Sequence, residues 1–156
     1  TFLVSRSNME FYNQRNHSEA IKTYKEILAI NSHAADALLA ITYPLQDIKK
    51  WSSSIKYLKM LIKIDPLNYD AHIQFAKVYQ AKKKWPLLKA LSRRMMDYRP
   101  SKYQAFIFLA RAENATGNFT AARNAYLEVL SRAPNNKEAN KYLILNKNNS
   151  NPVTPL

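Results

Sequence analysis

Three prolines stand at a constant spacing in this chain of 156 residues. Pro66, Pro100 and Pro134 are 34 residues apart, and Ser32 occupies the slot one period earlier. Each follows an apolar run with helical spacing, which it ends because proline cannot continue a helix. A fixed period of this length is typical of chains that stack one supersecondary unit several times. The spacing predicts four units, covering about 1–34, 35–68, 69–102 and 103–136.

Other residue types keep the same register. The period relates Trp51, Trp85 and Phe119, with His17 ahead of them, and two further columns: Ala20, Ser54, Leu88 and Ala122, then Tyr24, Leu58, Ser92 and Tyr126. Because aromatic, small and large positions all repeat in step, the period reflects a repeated structure. We expect these columns, the tryptophans included, to supply the packing core.

Within each period the apolar residues show helical spacing twice. In the second period Leu38, Ile41 and Leu45 form one stripe and Leu58 and Leu61 belong to another, with a short polar segment between them. Each period is therefore predicted to be two antiparallel helices. The tight turns inside the pairs are expected near residues 15, 49, 83 and 117.

Glycine is nearly absent, and this excludes several kinds of site. The chain has one glycine, Gly117, where average composition would give about eleven. Phosphate-binding loops and nucleophile elbows need several glycines, because backbone amides must approach the ligand and some residues need positive φ. The Asn-Gly and Asp-Gly turns of tight hairpins do not occur either. We therefore expect an all-α protein.

The residues that carry catalysis or bind metals are also poorly placed. The chain has no cysteine, and His17, His33 and His72 do not have metal-ligand spacing. Asp36 and Asp70 share a column, but neighbouring helices would hold them about 10 Å apart, which suits a solvated face better than acid–base chemistry. We expect no enzymatic activity, no cofactor and no metal.

The repeat resembles the tetratricopeptide repeat family, whose pattern alternates large apolar, small and aromatic positions and ends with a proline. The fourth period matches this pattern most fully, through Phe106, Leu109, Ala110, Phe119, Ala122, Tyr126 and Pro134. The resemblance implies an α-solenoid of antiparallel helix pairs wound into a right-handed superhelix over residues 1–145. It includes a capping helix at 137–145, and residues 146–156 are expected to form a disordered tail.

Two departures from the family pattern carry structural expectations. Leu88 replaces a small residue and Ser92 replaces an aromatic one, so the third helix pair must pack differently. Pro44 lies inside the first helix of the second period, where it should kink or shorten the helix. Pro86 falls in the first turn of a helix and is harmless there.

The family lines its concave side mainly with the first helix of each repeat. The residues at repeat positions 5, 9 and 12, counted from the start of each period, would then face a groove. They are Leu39, Ile73 and Ile107, then Met9, Tyr43, Lys77 and Arg111, then Tyr12, Gln46, Gln80 and Asn114. An apolar strip flanked by hydrogen-bonding side chains suits a peptide segment, although some of these residues could instead pack between repeats.

A further expectation for the groove concerns its charge. Tyr43, Lys77 and Arg111 share position 9, and neither cation has a carboxylate at a neighbouring groove position in this interpretation. All three should then be at least partly exposed. The order of the side chains favours a ligand with an apolar residue near one end and acidic residues near the other.

The resemblance favours a protein-interaction scaffold, such as an assembly factor of a bacterial pilus or secretion machine. Family members that clamp the carboxylate tail of a chaperone need a set of lysine, arginine and asparagine side chains. Those positions hold Ser5, Met9, Ala40, Asp70 and Gln74 here. A chaperone tail is therefore not expected as the partner.

The chain carries a net charge of +13, which suggests an acidic partner. Residues 69–102 hold nine basic and two acidic residues. Lysines cluster at two equivalent turns, at Lys49 and Lys50 and at Lys82, Lys83 and Lys84. This basic edge is either a solvated surface or a docking surface for an acidic protein, an anionic membrane or nucleic acid. Nucleic acid is disfavoured, because aromatic residues do not alternate with the lysines.

No apolar run approaches the roughly 20 residues that cross a bilayer, and no secretory signal is visible. We expect a soluble protein of the bacterial periplasm or envelope, or of the cytoplasm. The lack of cysteine leaves the compartment open.

Overall fold

A computed structural model describes residues 17–147 of the chain. These residues form helices and turns and contain no strand, which confirms the all-α prediction for this part of the chain. The helices are α1 (His17–Ile30), α2 (Ala35–Ala40), α3 (Thr42–Asp47), α4 (Trp51–Ile64), α5 (Tyr69–Ala81), α6 (Trp85–Tyr98), α7 (Gln104–Ala115), α8 (Phe119–Arg132) and α9 (Lys137–Leu145). Met9, Tyr12, the turn near 15 and the tail beyond 147 lie outside the described residues.

The turns that join α3 to α4, α5 to α6 and α7 to α8 share one geometry. Their central residues Lys49, Lys83 and Gly117 have φ values of 60°, 54° and 81°, at the predicted 34-residue spacing. In each turn the next amide donates to a carbonyl five residues earlier, as the 2.8 Å bond from Lys50 to Leu45 shows. This is the Schellman ending of a helix, in which a left-handed residue allows the chain to reverse.

The turns between successive periods are built around the periodic prolines. The amide of the fourth turn residue donates to the carbonyl of the first over 3.0–3.2 Å, at Ala34, Asn68, Lys102 and Asn136. Proline fits the second position of such a turn because its fixed φ is already that of the turn. The side chains of Asn68 and Asn136 then cap the next helices, accepting from Ala71 and Ala139 at 2.9 and 3.0 Å.

The chain forms two compact units, Thr1–Val78 and Tyr79–Leu156. In the described part of the first unit, α1 packs on α2 and α3, and α4 packs on the same two helices. Its core combines the predicted column residue Tyr24 with Leu38, Ile41 and Leu58, all of which are fully buried. The repeated columns therefore supply the core of this unit.

Pro44 interrupts the first helix of the second period, as predicted. It has no amide hydrogen to donate to the carbonyl of Ala40, and the helix divides there into α2 and α3. Ile41 keeps helical dihedral angles of −64° and −22°, so the chain continues in nearly the same direction. The Thr42 hydroxyl donates to the carbonyl of Leu39 at 2.6 Å and satisfies one acceptor near the break.

In the second unit, α7 packs between α6 and α8, and α9 packs on α8. The buried cluster includes Phe106, Tyr126, Val129 and Ala139. Leu88 and Ser92 are both fully buried in α6, in the columns where the sequence departs from the family pattern.

The tryptophan column was expected to belong to the core, but its side chains are only partly buried. Trp51 and Trp85 are half-buried, and Phe119 is half-exposed. All three are the first residues of their helices. A residue at the end of a helix has neighbours on only one side, so part of each ring stays open to solvent.

Candidate functional site

Four of the predicted groove residues lie in the first unit and keep some exposed surface. Leu39, Tyr43 and Ile73 are half-buried, on α2, α3 and α5, and Lys77 is exposed on α5. None of the ion pairs formed among residues 17–147 involves Lys77. We call these four residues the first-helix face. It combines apolar side chains with a positive charge that a ligand could approach.

Gln46 does not belong to this face, contrary to the prediction. It is buried, and its amide nitrogen donates to the Ser54 hydroxyl at 3.1 Å and to the Gln74 carbonyl at 3.4 Å. The small side chain of Ser54 leaves room for the amide to turn inward. Gln46 therefore ties α3 to α4 and α5 and is not available to a ligand.

Arg111 is also different from the expectation, because it has a carboxylate partner. Its Nε and Nη2 atoms donate to the two carboxylate oxygens of Glu138 on α9, at 2.8 and 2.6 Å. Its Nη1 donates to the Gln80 side chain at 3.0 Å. Arg111 therefore keeps partial exposure, but its charge is neutralised within the protein by a two-pronged ion pair.

The two charged groups reinforce each other. The hydrogen bonds from Arg111 lower the pKa of Glu138, and the same pair raises the pKa of the Arg111 guanidinium. The Tyr126 hydroxyl donates to Glu138 at 2.9 Å, and burial together with this carboxylate raises the pKa of the phenol. Both members of the ion pair therefore stay charged across the physiological range.

Helix α9 also contacts Asn114, the position 12 residue of the fourth period. The Tyr142 hydroxyl on α9 donates to the Asn114 side chain at 3.2 Å, and the Tyr142 ring lies 4.4 Å from the ring of Tyr126. Ile107 is buried, in contrast to its predicted place on a groove floor. In the fourth period Ile107 is therefore buried within its own unit and Arg111 is paired there, whereas Asn114 remains exposed.

The sequence did not predict the buried carboxylate of Glu113. Its side chain is 7% exposed, and it pairs with Lys89 at 2.7 Å and with Arg93 at 3.3 Å, both on α6. Asn118 donates to it at 2.7 Å. Burial alone would raise the pKa of Glu113, but the hydrogen bonds from Lys89 and Asn118 and the two positive charges lower it. The cluster joins α6 to the end of α7.

Residues 17–147 contain neither a metal-binding cluster of side chains nor a helix that could cross a membrane. In that range no group of three or more histidine, aspartate or glutamate side chains is close enough to hold a metal ion. Over the same residues, each helix is too short or too polar to span a bilayer.

The five lysines of the basic edge are all exposed, at Lys49, Lys50, Lys82, Lys83 and Lys84. Lys49 and Lys83 hold the left-handed slots of their turns, where Gly117 stands in the fourth period. A left-handed conformation costs a non-glycine residue roughly 1–2 kcal/mol. The two lysines are therefore strained where a glycine would not be.

No family model and no curated protein sequence matches the chain significantly. Solved structures of the same fold do match. MamA is 18% identical over 87% of this chain and 80% of its own, with a TM-score of 0.77. MamA from Desulfovibrio magneticus RS-1 is 14% identical over 94% and 82%, with a TM-score of 0.80.

A tetratricopeptide repeat protein from Parabacteroides merdae ATCC 43184 is 13% identical over 90% of this chain and 54% of its own, with a TM-score of 0.80. These likenesses cover nearly the whole chain and confirm the predicted fold class. The repeated columns, the Schellman turns and the structural neighbours agree, and the chain therefore has the fold of the tetratricopeptide repeat proteins.

Proposed function

We propose that the protein is a protein-interaction scaffold that binds a peptide segment of a partner on its first-helix face. The fold supports this role, since stacked helix pairs present extended binding surfaces. The observation that carries the proposal is the first-helix face itself, where Leu39, Tyr43 and Ile73 are half-buried and Lys77 is exposed with no ion pair to any of residues 17–147. Apolar anchors beside a polar group are the usual composition of a peptide site.

The charges of the first unit give the ligand a direction. Asp36 and Asp70 are exposed at the beginnings of α2 and α5, while Lys77 is exposed two turns further along α5. An acidic ligand residue is therefore attracted near Lys77 and repelled near the two aspartates. Because Glu138 already neutralises Arg111, we assign the acid-binding role to Lys77 alone.

The apolar anchor of the ligand would lie between these charged ends, against Leu39 and Ile73. A scaffold that holds an extended segment in this way can keep two proteins of a larger complex together. We therefore propose an assembly role, of the kind needed in a bacterial pilus or secretion machine. The fold alone does not select among such complexes, because many unrelated functions share it.

A peptide-display selection on the whole chain tests the proposal. The selected peptides should share an apolar residue and a nearby acidic residue. Lys77→Glu should then weaken their binding by about 1–3 kcal/mol, the range for a charge-assisted hydrogen bond. The matched control is Lys59→Glu, which makes the same charge change at an exposed position of α4 and should leave the affinity unchanged.

Binding should be measured by fluorescence anisotropy with a selected peptide, after circular dichroism has shown that both variants are folded. Equal affinities for the native chain and Lys77→Glu would place the peptide elsewhere. An equal loss with Lys59→Glu would show that only net charge matters. Either result would remove the first-helix face as the binding site.

A further inference from the structure

The second unit carries most of the positive charge of the chain. Residues 79–147 hold 14 lysines and arginines against four acidic residues, whereas residues 17–78 hold eight against six. Three of those four carboxylates, in Glu113, Glu128 and Glu138, are bound in ion pairs within the unit. These pairs involve other cations, so Lys82, Lys83 and Lys84 take part in none of the ion pairs among the described residues.

The three lysines lie on the same edge as the turn between α7 and α8. Lys89, in the second turn of α6, donates to the Thr116 hydroxyl at 2.8 Å and so joins the beginning of α6 to that turn. The N-terminal ends of α6 and α8 therefore lie on one side of the unit, and neither helix has an acidic residue in its first turn. The positive ends of two helix dipoles add to the lysine charges there.

Exposed apolar side chains stand on the same edge. Leu87, in the first turn of α6, and Phe119, the first residue of α8, are each 50% exposed. A large apolar residue beside lysines is typical of surfaces that enter the interfacial region of a bilayer. The nearby carboxylate of Glu113 is buried and is neutralised by Lys89 and Arg93. We call the lysines Lys82, Lys83 and Lys84 together with Leu87 and Phe119 the α6/α8 edge.

The backbone conformation of Lys83 is one that glycine adopts more easily than lysine. Its φ of 54° places a lysine in a left-handed slot that Gly117 fills in the next period. Glycine would relieve this strain but would remove a charge from the centre of the lysine cluster. Lys49 takes the same conformation at the equivalent turn of the first unit, so a lysine fills this slot at both of these turns.

We propose that the α6/α8 edge docks on an anionic lipid bilayer, a role separate from the peptide-binding face of the first unit. The lysine ammonium groups would contact the acidic headgroups, while Leu87 and Phe119 would enter the interface beneath them. Nucleic acid fits the edge less well. A single-strand platform needs several exposed stacking rings along the basic surface, whereas this edge presents the aliphatic Leu87, the half-exposed ring of Phe119 and the half-buried ring of Trp85.

Vesicle sedimentation with the whole chain tests this proposal. The probe is a set of phosphatidylcholine vesicles with and without 30% phosphatidylserine, at about 0.1 M salt, where the Debye length is about 10 Å. We expect binding to the anionic vesicles only. Each lysine near such a surface strengthens binding by about five-fold, so replacing Lys82, Lys83 and Lys84 with glutamate should weaken it by at least about 100-fold.

A matched charge control separates a local edge from the general charge of the protein. The control replaces the exposed residues Lys102, Lys137 and Lys141 with glutamate, which changes the net charge of the same unit equally. This variant should lose at most a small part of the binding. A loss equal to that of the edge variant would overturn the proposal. If the glutamate edge variant fails to fold, glutamine replaces the lysines in both the edge variant and the control variant, and the two are compared in the same way.

A third variant tests the apolar part of the edge. Leu87→Ser with Phe119→Ser leaves the charge unchanged and should weaken vesicle binding several-fold, because both side chains would lose interfacial burial. No effect of this double change would overturn the bilayer assignment. So would binding to a single-stranded oligonucleotide that is tighter than binding to the vesicles and unaffected by the same change. Circular dichroism confirms that each variant is folded.

Discussion

In the third helix pair, Leu88→Ala combined with Ser92→Tyr should destabilise the protein less than Leu88→Ala alone. Both residues are fully buried in α6. The first and fourth periods hold alanine and tyrosine in these two columns, as Ala122 and Tyr126 show. In the third period Leu88 is larger than the alanine of its column, and Ser92 is smaller than the tyrosine of its column. Side-chain volume is therefore moved from position 92 to position 88, one turn earlier in the helix. The large side chain of Leu88 therefore compensates for the small one of Ser92.

The single changes should each destabilise the protein. Leu88→Ala should cost about 2–5 kcal/mol, because a fully buried leucine leaves a cavity. Ser92→Tyr alone should cost about 1–3 kcal/mol, because the ring must displace Leu88. The double variant should be more stable than the sum of the two changes, with a coupling of about 1–3 kcal/mol.

A hydrogen bond adds to this expected recovery. In the fourth period the Tyr126 hydroxyl donates to Glu138, twelve residues later. The residue twelve after Ser92 is Gln104, whose side-chain oxygen is buried and accepts no hydrogen bond from any of residues 17–147. A tyrosine at position 92 should place its hydroxyl near that oxygen. The buried Ser92 hydroxyl, which is also unpartnered, would be removed at the same time.

Urea unfolding measures the effect. In a Trp51→Phe background, the fluorescence of Trp85 reports the unfolding of the second unit, because it is then the only tryptophan. The unfolding free energies of the native chain, both single variants and the double variant give the coupling directly. A double variant that is no more stable than the sum of its single changes would refute the idea that the two columns compensate for each other.

Three further predictions follow from the described geometry. Lys83→Gly should raise the unfolding free energy by about 1 kcal/mol, since glycine takes a positive φ without strain, and Gly117→Ala should lower it by a similar amount. Differential scanning calorimetry measures both, and equal stabilities of the two variants would contradict the strain argument. The pKa values of Glu113 and Glu138 are lowered in the folded state. Their ion pairs therefore stabilise the fold above the unfolded pKa of about 4.3, and this stability should be lost as the pH falls through the lower folded pKa values. Unfolding measured from pH 7 to pH 2 should show this loss, and a smaller loss in Glu113→Gln. Tyr126→Ala should cost about 3–5 kcal/mol in denaturant unfolding, and Trp51→Ala clearly less, because Tyr126 is buried and Trp51 is only half-buried; equal costs would show that partial exposure does not reduce the contribution of Trp51.

The regular features of the fold could be predicted because they repeat. The turns at Lys49, Lys83 and Gly117 and the breaks at the periodic prolines follow from one spacing that several residue types share. Pro44 was predictable for a different reason, since the cost of proline inside a helix is independent of the rest of the fold. These predictions depend on local covalent geometry and on a repeated pattern.

The charged pairs could be predicted only in part. Glu138 stands in the same column as Asp36, Asp70 and Gln104, and extending that column one period beyond Gln104 would have placed a carboxylate beside Arg111. Glu113 stands in an apolar column, which signals an unusual contact but does not identify Lys89 and Arg93 as its partners. Such pairs depend on how two helices pack, and that packing has no period of its own.

The predicted exposure of the groove residues was the least reliable part. Gln46 turned inward because Ser54 is small enough to admit its amide, a detail that the column position does not contain. Ile107 is buried although Leu39 and Ile73, at the same repeat position, are half-buried. Exposure at one repeat position therefore varies with the neighbours of each copy.

The register of α9 has a consequence for protein engineering. Ala139 is fully buried one period after the buried Ala105, and Glu138 pairs with Arg111 on α7, so α9 is placed like the first helix of a further repeat. Its Ile144 and Leu145 remain 64% and 70% exposed. Ile144 stands one period after the buried Ala110. Joining a copy of the α7–α8 turn and of α8 to the end of α9 would therefore place a second helix against Ile144. The array could in this way be lengthened by a module taken from its own sequence, with α9 serving as the splice point.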